Sequence, residues 1–183
     1  MALVQSNGMA VGTVAPPFSL PATDGKTYTL ADFADASVLV VVFTCNHCPY
    51  AIANEDRLVA LQKAYDGRAQ LVAINPNDAR SHPGDSFERM VERARDKGFN
   101  FPYLRDESQA VARAYDAACT PDVFVFDADR KLVYNGRIDD NWRDASAVTQ
   151  RDLEQVIDRT LAGAPHGLGE VFPAMGCSIK WSR

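Results

Sequence analysis

Six apolar residues in a row, Val38-Leu39-Val40-Val41-Val42-Phe43, run directly into Thr44-Cys45-Asn46-His47-Cys48-Pro49. The run is rich in β-branched residues and has no polar side. That pattern predicts a central strand buried on both faces. A helix is expected next, from about Cys45 or His47 to Tyr65, with Leu58, Leu61 and Tyr65 on its core side. Ala69 to Ile74 reads as a second buried strand, ended by Asn75-Pro76-Asn77-Asp78. Two buried strands joined through a helix imply a parallel pair with a right-handed crossover.

The remaining elements follow from punctuation and periodicity. Asp24-Gly25, between Phe18-Ser19-Leu20 and Lys26 to Leu30, predicts a short hairpin. Asp85 or Ser86 can cap a helix that carries Phe87, Met90, Val91 and Ala94 on one stripe and ends at Gly98. Ser108 to Tyr115 reads as a shorter helix. Asp122 to Asp127 and Leu132 to Ile138 read as strands of an antiparallel hairpin turning at Ala128-Asp129-Arg130. A last helix is expected from Thr149 or Gln150 to Leu161, and Gly163 to Arg183 is a tail without clear periodicity.

The chain has 183 residues, which suits one domain, residues 1–183, with 164–183 as its tail. Hydrophobic residues make up 46% and charged residues 23%, which excludes a disordered, collagen-like or low-complexity chain. The net charge of −5 and the lack of a basic stripe argue against nucleic acid and anionic membrane as partners. The longest apolar run falls far short of the roughly 20 residues a bilayer needs. The first residues show neither a basic region nor a sustained apolar core of a signal peptide, so the expected location is cytoplasmic. Four cysteines, Cys45, Cys48, Cys119 and Cys177, are too few for a disulfide framework. In a reducing compartment such thiols are more often redox-active, catalytic or metal-binding.

The chemistry concentrates in Cys45-Asn46-His47-Cys48-Pro49, placed between a buried strand and a helix start. A sulfur at a helix start faces unpaired N–H groups, which would lower the pKa of Cys45. The spacing brings Cys48 about one turn along on the same side. The pair, expected to be accessible to another molecule, can then close a small disulfide ring, with Cys45 attacking and Cys48 resolving. His47 stands between them and can either tune the thiolate or point to solvent. Cys119-Thr120-Pro121-Asp122 is the second signal: proline at a strand's first position needs no ladder N–H. A structural zinc site would want four Cys or His ligands, and only one C-x-x-C pair exists, so no metal is expected.

Strand, C-x-x-C helix, Thr-Pro, strand hairpin and C-terminal helix together resemble the thioredoxin-like fold: a central mixed sheet flanked by helices. The N-terminal hairpin (14–30) and the insertion (78–116) are similar to those of the redoxin branch, which holds peroxiredoxins and thiol-disulfide reductases. Cys-Asn-His-Cys-Pro-Tyr, Cys-Thr-Pro-Asp, Arg137-Ile-Asp-Asp-Asn-Trp142 and Gly176-Cys-Ser-Ile-Lys-Trp181 resemble a bacterial peroxiredoxin-like (AhpC/TSA) group over roughly residues 12–182. The resemblance implies a thiol-disulfide oxidoreductase that needs no cofactor. Its partners would be protein or small-molecule thiols and disulfides, and by analogy it would form a homodimer. Pro121 would be a cis-proline beside the dithiol, with Thr120 offering backbone groups to a bound substrate chain and Thr44 also contacting substrate.

Two alternatives stand beside it. A thiol peroxidase with antioxidant activity would use Cys48 as the peroxidatic sulfur, with Cys45 or Cys177 resolving. Its usual threonine position is Cys45 here, and its arginine is missing unless Arg105 or Arg137 substitutes in space. A non-catalytic adaptor is the other. The strand 38–43 has no buried acid of the thioredoxin kind, so resolution needs another base: His47, water or, farther along, Glu55. Cys177 could fold back as a resolving thiol or pack as a small apolar residue with Ile179 and Trp181. Cys119 reads as a buried small residue, and His82 and His166 as solvated loop residues.

Overall fold

Every residue of the strand 38–43 is buried in the computed structural model, which describes residues 3–182. In chain order the strands and helices begin with β1 (Leu3–Gln5), β2 (Ser19–Pro21), β3 (Thr27–Thr29) and β4 (Val38–Phe43). Helices α1 (Pro49–Ile52) and α2 (Glu55–Ala64) come next, then β5 (Ala69–Asn75), α3 (Phe87–Lys97), β6 (Tyr103–Arg105) and α4 (Ala110–Ala114). The chain finishes with β7 (Cys119–Thr120), β8 (Asp122–Phe126), β9 (Leu132–Gly136), α5 (Asp152–Leu161) and β10 (Met175–Ser178).

The main sheet has the order β6-β5-β4-β8-β9, with β4, β5 and β6 parallel and β8 and β9 antiparallel to their neighbours. Alternate residues of β4 feed two cores. Leu39, Val41 and Phe43 join Phe18, Tyr115, Phe124 and Phe126 on one face. Val38, Val40 and Val42 join Leu58, Met90, Val156 and Ile157 on the other. This is the layered α/β arrangement of the thioredoxin-like fold, with the hairpin β2–β3 turning at Asp24-Gly25 as expected. In register, Phe43 lies opposite both Ile74 and Asp122. The end of β4 therefore carries Thr44 and Cys45 to the place where the segment before β8 begins. Among the described residues, no helix is long and apolar enough to cross a membrane.

Four expectations change. The helix expected from Cys45 or His47 to Tyr65 is two helices, and the first begins only at Pro49. Proline at the first helical position has no N–H to place and leaves Cys48 as the cap. The break comes from Asn54. Its side-chain amide donates to Tyr50 O at 2.8 Å, the carbonyl its own backbone N–H would otherwise use, and that N–H turns to Ala51 O at 3.0 Å.

The short helix expected at Ser108 starts at Ala110, because Gln109 takes a left-handed conformation with φ 63°. The last helix starts at Asp152 rather than Thr149 or Gln150. Finally, four strands escaped sequence reading: β1, β6, β7 and β10. β6 is too short to show periodicity, and β10 lies in the tail. β10 is the middle of a second sheet, β1-β10-β7, all antiparallel.

Candidate active site

Cys45 leaves the end of β4, and Cys48 caps α1 directly after the bend at Asn46 and His47. Both sulfurs are reduced thiols. Across from them the Thr120–Pro121 peptide bond is cis. Cys45 Sγ lies 3.3 Å from Thr120 Oγ1, and the Cys48 thiol donates to Thr120 O at 3.1 Å. The two sequence signals, 75 positions apart, are thus one site. Asp122 holds the Thr-Pro turn in place: its carboxylate accepts Ala118 N–H at 3.0 Å and Asn135 Nδ2 at 3.1 Å.

Sequence reading missed one residue here. Asp85, read only as a possible helix cap, is fully buried beside the dithiol. It comes from the insertion between β5 and α3, and Ser86 does the capping instead. One Asp85 oxygen accepts Asn46 N–H at 2.7 Å, with Asn75 Nδ2 at 3.4 Å. The other accepts Asn77 Nδ2 at 2.9 Å and meets His47 Nδ1 at 2.7 Å. A carboxylate only accepts, so Nδ1 carries the ring proton and Nε2 is the acceptor of the neutral imidazole. Nothing in Pro83-Gly84-Asp85-Ser86 as a sequence marks this role, because the contact depends on how the insertion folds back. The insertion therefore places a buried acid beside Cys45, where β4 has none. His47, which sequence left between tuning a thiolate and facing water, is held by that acid and stacks on His82 at 5.0 Å.

Cys45, His47 and Asp85 each offer a ligand atom within 4.8 Å of the others, so they are the residues among those described that could hold a metal ion. The four donors already on the Asp85 carboxylate make the cluster better suited to proton handling than to ligation.

The proton distribution reverses the expected one. Cys45 is not on the helix. Its thiol is pushed up by the proton it shares with Cys48, by burial and by the Asp85 carboxylate. Cys48 is pulled down by donation from Cys45, against burial, with help from the Cys177 thiol and the N–H groups of Ala51 and Cys177. The cap position, not Cys45, collects the donors. Sequence reading also expects an open pair, whereas Cys45 is only 2% exposed and Cys48 0%.

The other candidates divide clearly. Thr44 is buried and its N–H extends the ladder to Ile74 O. Thr120 is in place beside both sulfurs, but the strand paired with it is the chain's own β10. Cys177 sits opposite Thr120 in that pairing and clusters with Cys45, Cys48 and Ala51. Cys119 is buried, its thiol raised by burial and by Asp122, and it donates to Pro121 O at 3.4 Å. Glu55 is clamped by Arg93 through two bonds of 2.8 and 2.7 Å, which leaves it no role as a base. Arg105 donates to Asn75 O and Asp85 O, and Arg137 pairs with Asp152, so both guanidiniums have other partners than the sulfurs. His82 packs on His47 rather than standing alone in solvent.

Fold and site together define a thioredoxin-like protein with a dithiol facing a cis-proline. The Redoxin family pattern matches residues 10–157, and the chain belongs to that family. It is 24% identical over 130 residues to thiol-disulfide oxidoreductase ResA of Geobacillus thermodenitrificans, covering 70% of each chain. Two solved structures are much nearer. An uncharacterized conserved protein from Geobacillus kaustophilus is 43% identical with a TM-score of 0.94, covering 100% of this chain and 97% of the other. A hypothetical protein from Sinorhizobium meliloti is 42% identical with a TM-score of 0.92, covering 97% and 98%.

Proposed function

We propose that this protein is a thiol-disulfide oxidoreductase working through Cys45 and Cys48 in a reducing, cytoplasmic setting. The observation that carries the reading is the convergence of both sulfurs on Thr120, at the cis-proline turn. In the reduced pair one proton lies between the sulfurs. The resting thiolate is Cys48, and the less populated form, with that proton moved from Cys45 to Cys48, makes Cys45 the nucleophile. Because Cys45 is 2% exposed, the cover over the pair opens before Cys45 attacks one sulfur of a substrate disulfide, and the other sulfur leaves as a thiolate. The Cys48 proton then departs, and Cys48 attacks Cys45. The substrate leaves as a dithiol with two electrons gained, and the Cys45–Cys48 disulfide remains. The leaving substrate thiolate takes the Cys48 proton; the His47–Asp85 pair stands beside Cys45, within 4.8 Å of its sulfur, so it serves only that side of the dithiol. A thiol protein or small thiol resets the disulfide.

The test is disulfide reduction in an insulin precipitation assay with dithiothreitol as the electron source. Wild type should accelerate precipitation, Cys45→Ser and Cys48→Ser should fall to background, and Cys119→Ser should keep the rate. Equal rates for wild type and Cys45→Ser would reject the reading. Rapid sulfenate formation at Cys48 with hydrogen peroxide, without disulfide reduction, would select the peroxidase instead.

A further inference from the structure

The tail brings a third sulfur to the dithiol by a specific route. β10 pairs with β7 so that Cys177 lies opposite Thr120, the residue whose carbonyl takes the Cys48 thiol. The Cys48 and Cys177 side chains hydrogen-bond, and the Cys177 N–H also serves Cys48. The approach is tight. A Cβ at Gly176 would lie 2.0 Å from Thr120 O, so only glycine lets β10 come this close. The tail is tied down beyond the site as well. Ile179 N–H donates to Ala118 O at 3.1 Å, Lys180 O accepts Asp78 N–H at 2.8 Å, and Gln109 bonds both Lys180 O and Ser182 N. β10 therefore occupies the edge where a substrate chain was expected, and it brings Cys177 to Cys48.

We propose that Cys177 is a third redox thiol that exchanges with Cys48, so that the Cys45–Cys48 disulfide converts reversibly into a Cys48–Cys177 disulfide. The Cys177 thiolate supplies the electron pair of the new bond. The pair of the broken Cys45–Cys48 bond leaves with Cys45, and the proton lost by Cys177 is available to it. One S–S bond breaks and one forms, so the exchange needs no outside oxidant once the first disulfide exists. It returns Cys45 to the thiol state while the protein stays oxidised by two electrons. In the reduced protein the Cys177 thiol is raised to about 11, first by burial and then by Cys48. The Cys48 contribution vanishes when Cys48 enters a disulfide, and nearby Lys180 favours the thiolate. The inference rests on the reading that Cys48 forms disulfides in this site.

The experiment is disulfide mapping of the full chain, equilibrated in oxidised and reduced glutathione, quenched with acid and alkylated. A Cys48–Cys177 bond joins tryptic peptides 27–57 and 160–180, whereas a Cys45–Cys48 bond lies within the first. Wild type should give both products. Cys45→Ser should give the cross-linked pair as its main disulfide, and Cys177→Ser should lose it entirely. Circular dichroism establishes that each variant is folded, and Cys45→Ala repeats the first arm where serine disturbs the packing. A folded Cys45→Ser or Cys45→Ala protein in which Cys48 takes up glutathione while Cys177 is fully alkylated would overturn the proposal. Failure of the insulin assay with the cross-linked pair present would instead sink only the external-substrate reading.

Discussion

At the scale of single residues, the site works by distributing donors unequally between two neighbouring sulfurs. Cys48 receives them and Cys45 faces a carboxylate, although the C-x-x-C spacing treats the two alike. Ultraviolet titration of thiolate should therefore show a first step well below the ordinary thiol value of 9.0. The thiolate exists above that step and is protonated as pH falls through it. The step should vanish in Cys48→Ser and survive in Cys119→Ser. Asp85→Asn removes the charge that holds Cys45 up, so the second thiol should titrate at lower pH than in wild type. An unchanged second step would mean that Asp85 only positions the loop. The same substitution turns an amide N–H₂ toward donors that had met an acceptor, and about 1–3 kcal/mol of stability should be lost.

At the scale of elements, legibility followed the length of each pattern. β4 and the helices α3 and α5 were readable because each carries its apolar side through several residues, Val38 to Phe43 most plainly. The C-x-x-C and Thr-Pro signals were readable because their chemistry is local. What escaped was set by partners far away in the chain. β10 is four residues, Met-Gly-Cys-Ser, with no alternation to announce a strand, and it exists because β1 and β7 pair with it. Asp85 escaped for the same reason. The broken helix after Pro49 depended on one amide choosing Tyr50 O. Gly176 is the element-scale test. Gly176→Ala should cost about 1–3 kcal/mol, because the neighbour it meets is backbone that must shift. In thermal or denaturant unfolding it should lower stability, and in native alkylation with iodoacetamide it should speed the labelling of Cys48. Labelling at the wild-type rate would show that β10 does not cover the pair.

At the scale of the whole molecule, one sheet serves two cores and holds the dithiol at the end of its central strand. Phe124 shows how closely the arrangement is fitted. It is fully buried and edge-on to Phe43 at 5.7 Å and to Tyr115 at 5.7 Å, so it joins β8, β4 and the helix side of the first core. Phe124→Ala should destabilise by about 3–5 kcal/mol in denaturant unfolding, through lost burial and the cavity left behind. A loss under about 1 kcal/mol would mean that the core refills. The second core is closed by α2, α3 and α5, and the loop after β9 is fastened to α2 by Arg57, which donates to Asp139 at 2.6 Å and to Asn141 O at 2.8 Å. That clamp lays Trp142 on Tyr50 at 4.1 Å, next to α1.

The pairing of Leu3 with Cys177 stitches opposite ends of the polypeptide into one seam. Contacts of such long sequence separation are entropically the slowest to close. The main sheet can be complete while that seam is still undone, and in that interval the sulfurs lack their final cover. A copy in which that seam is undone thus exposes its sulfurs more than a finished one does.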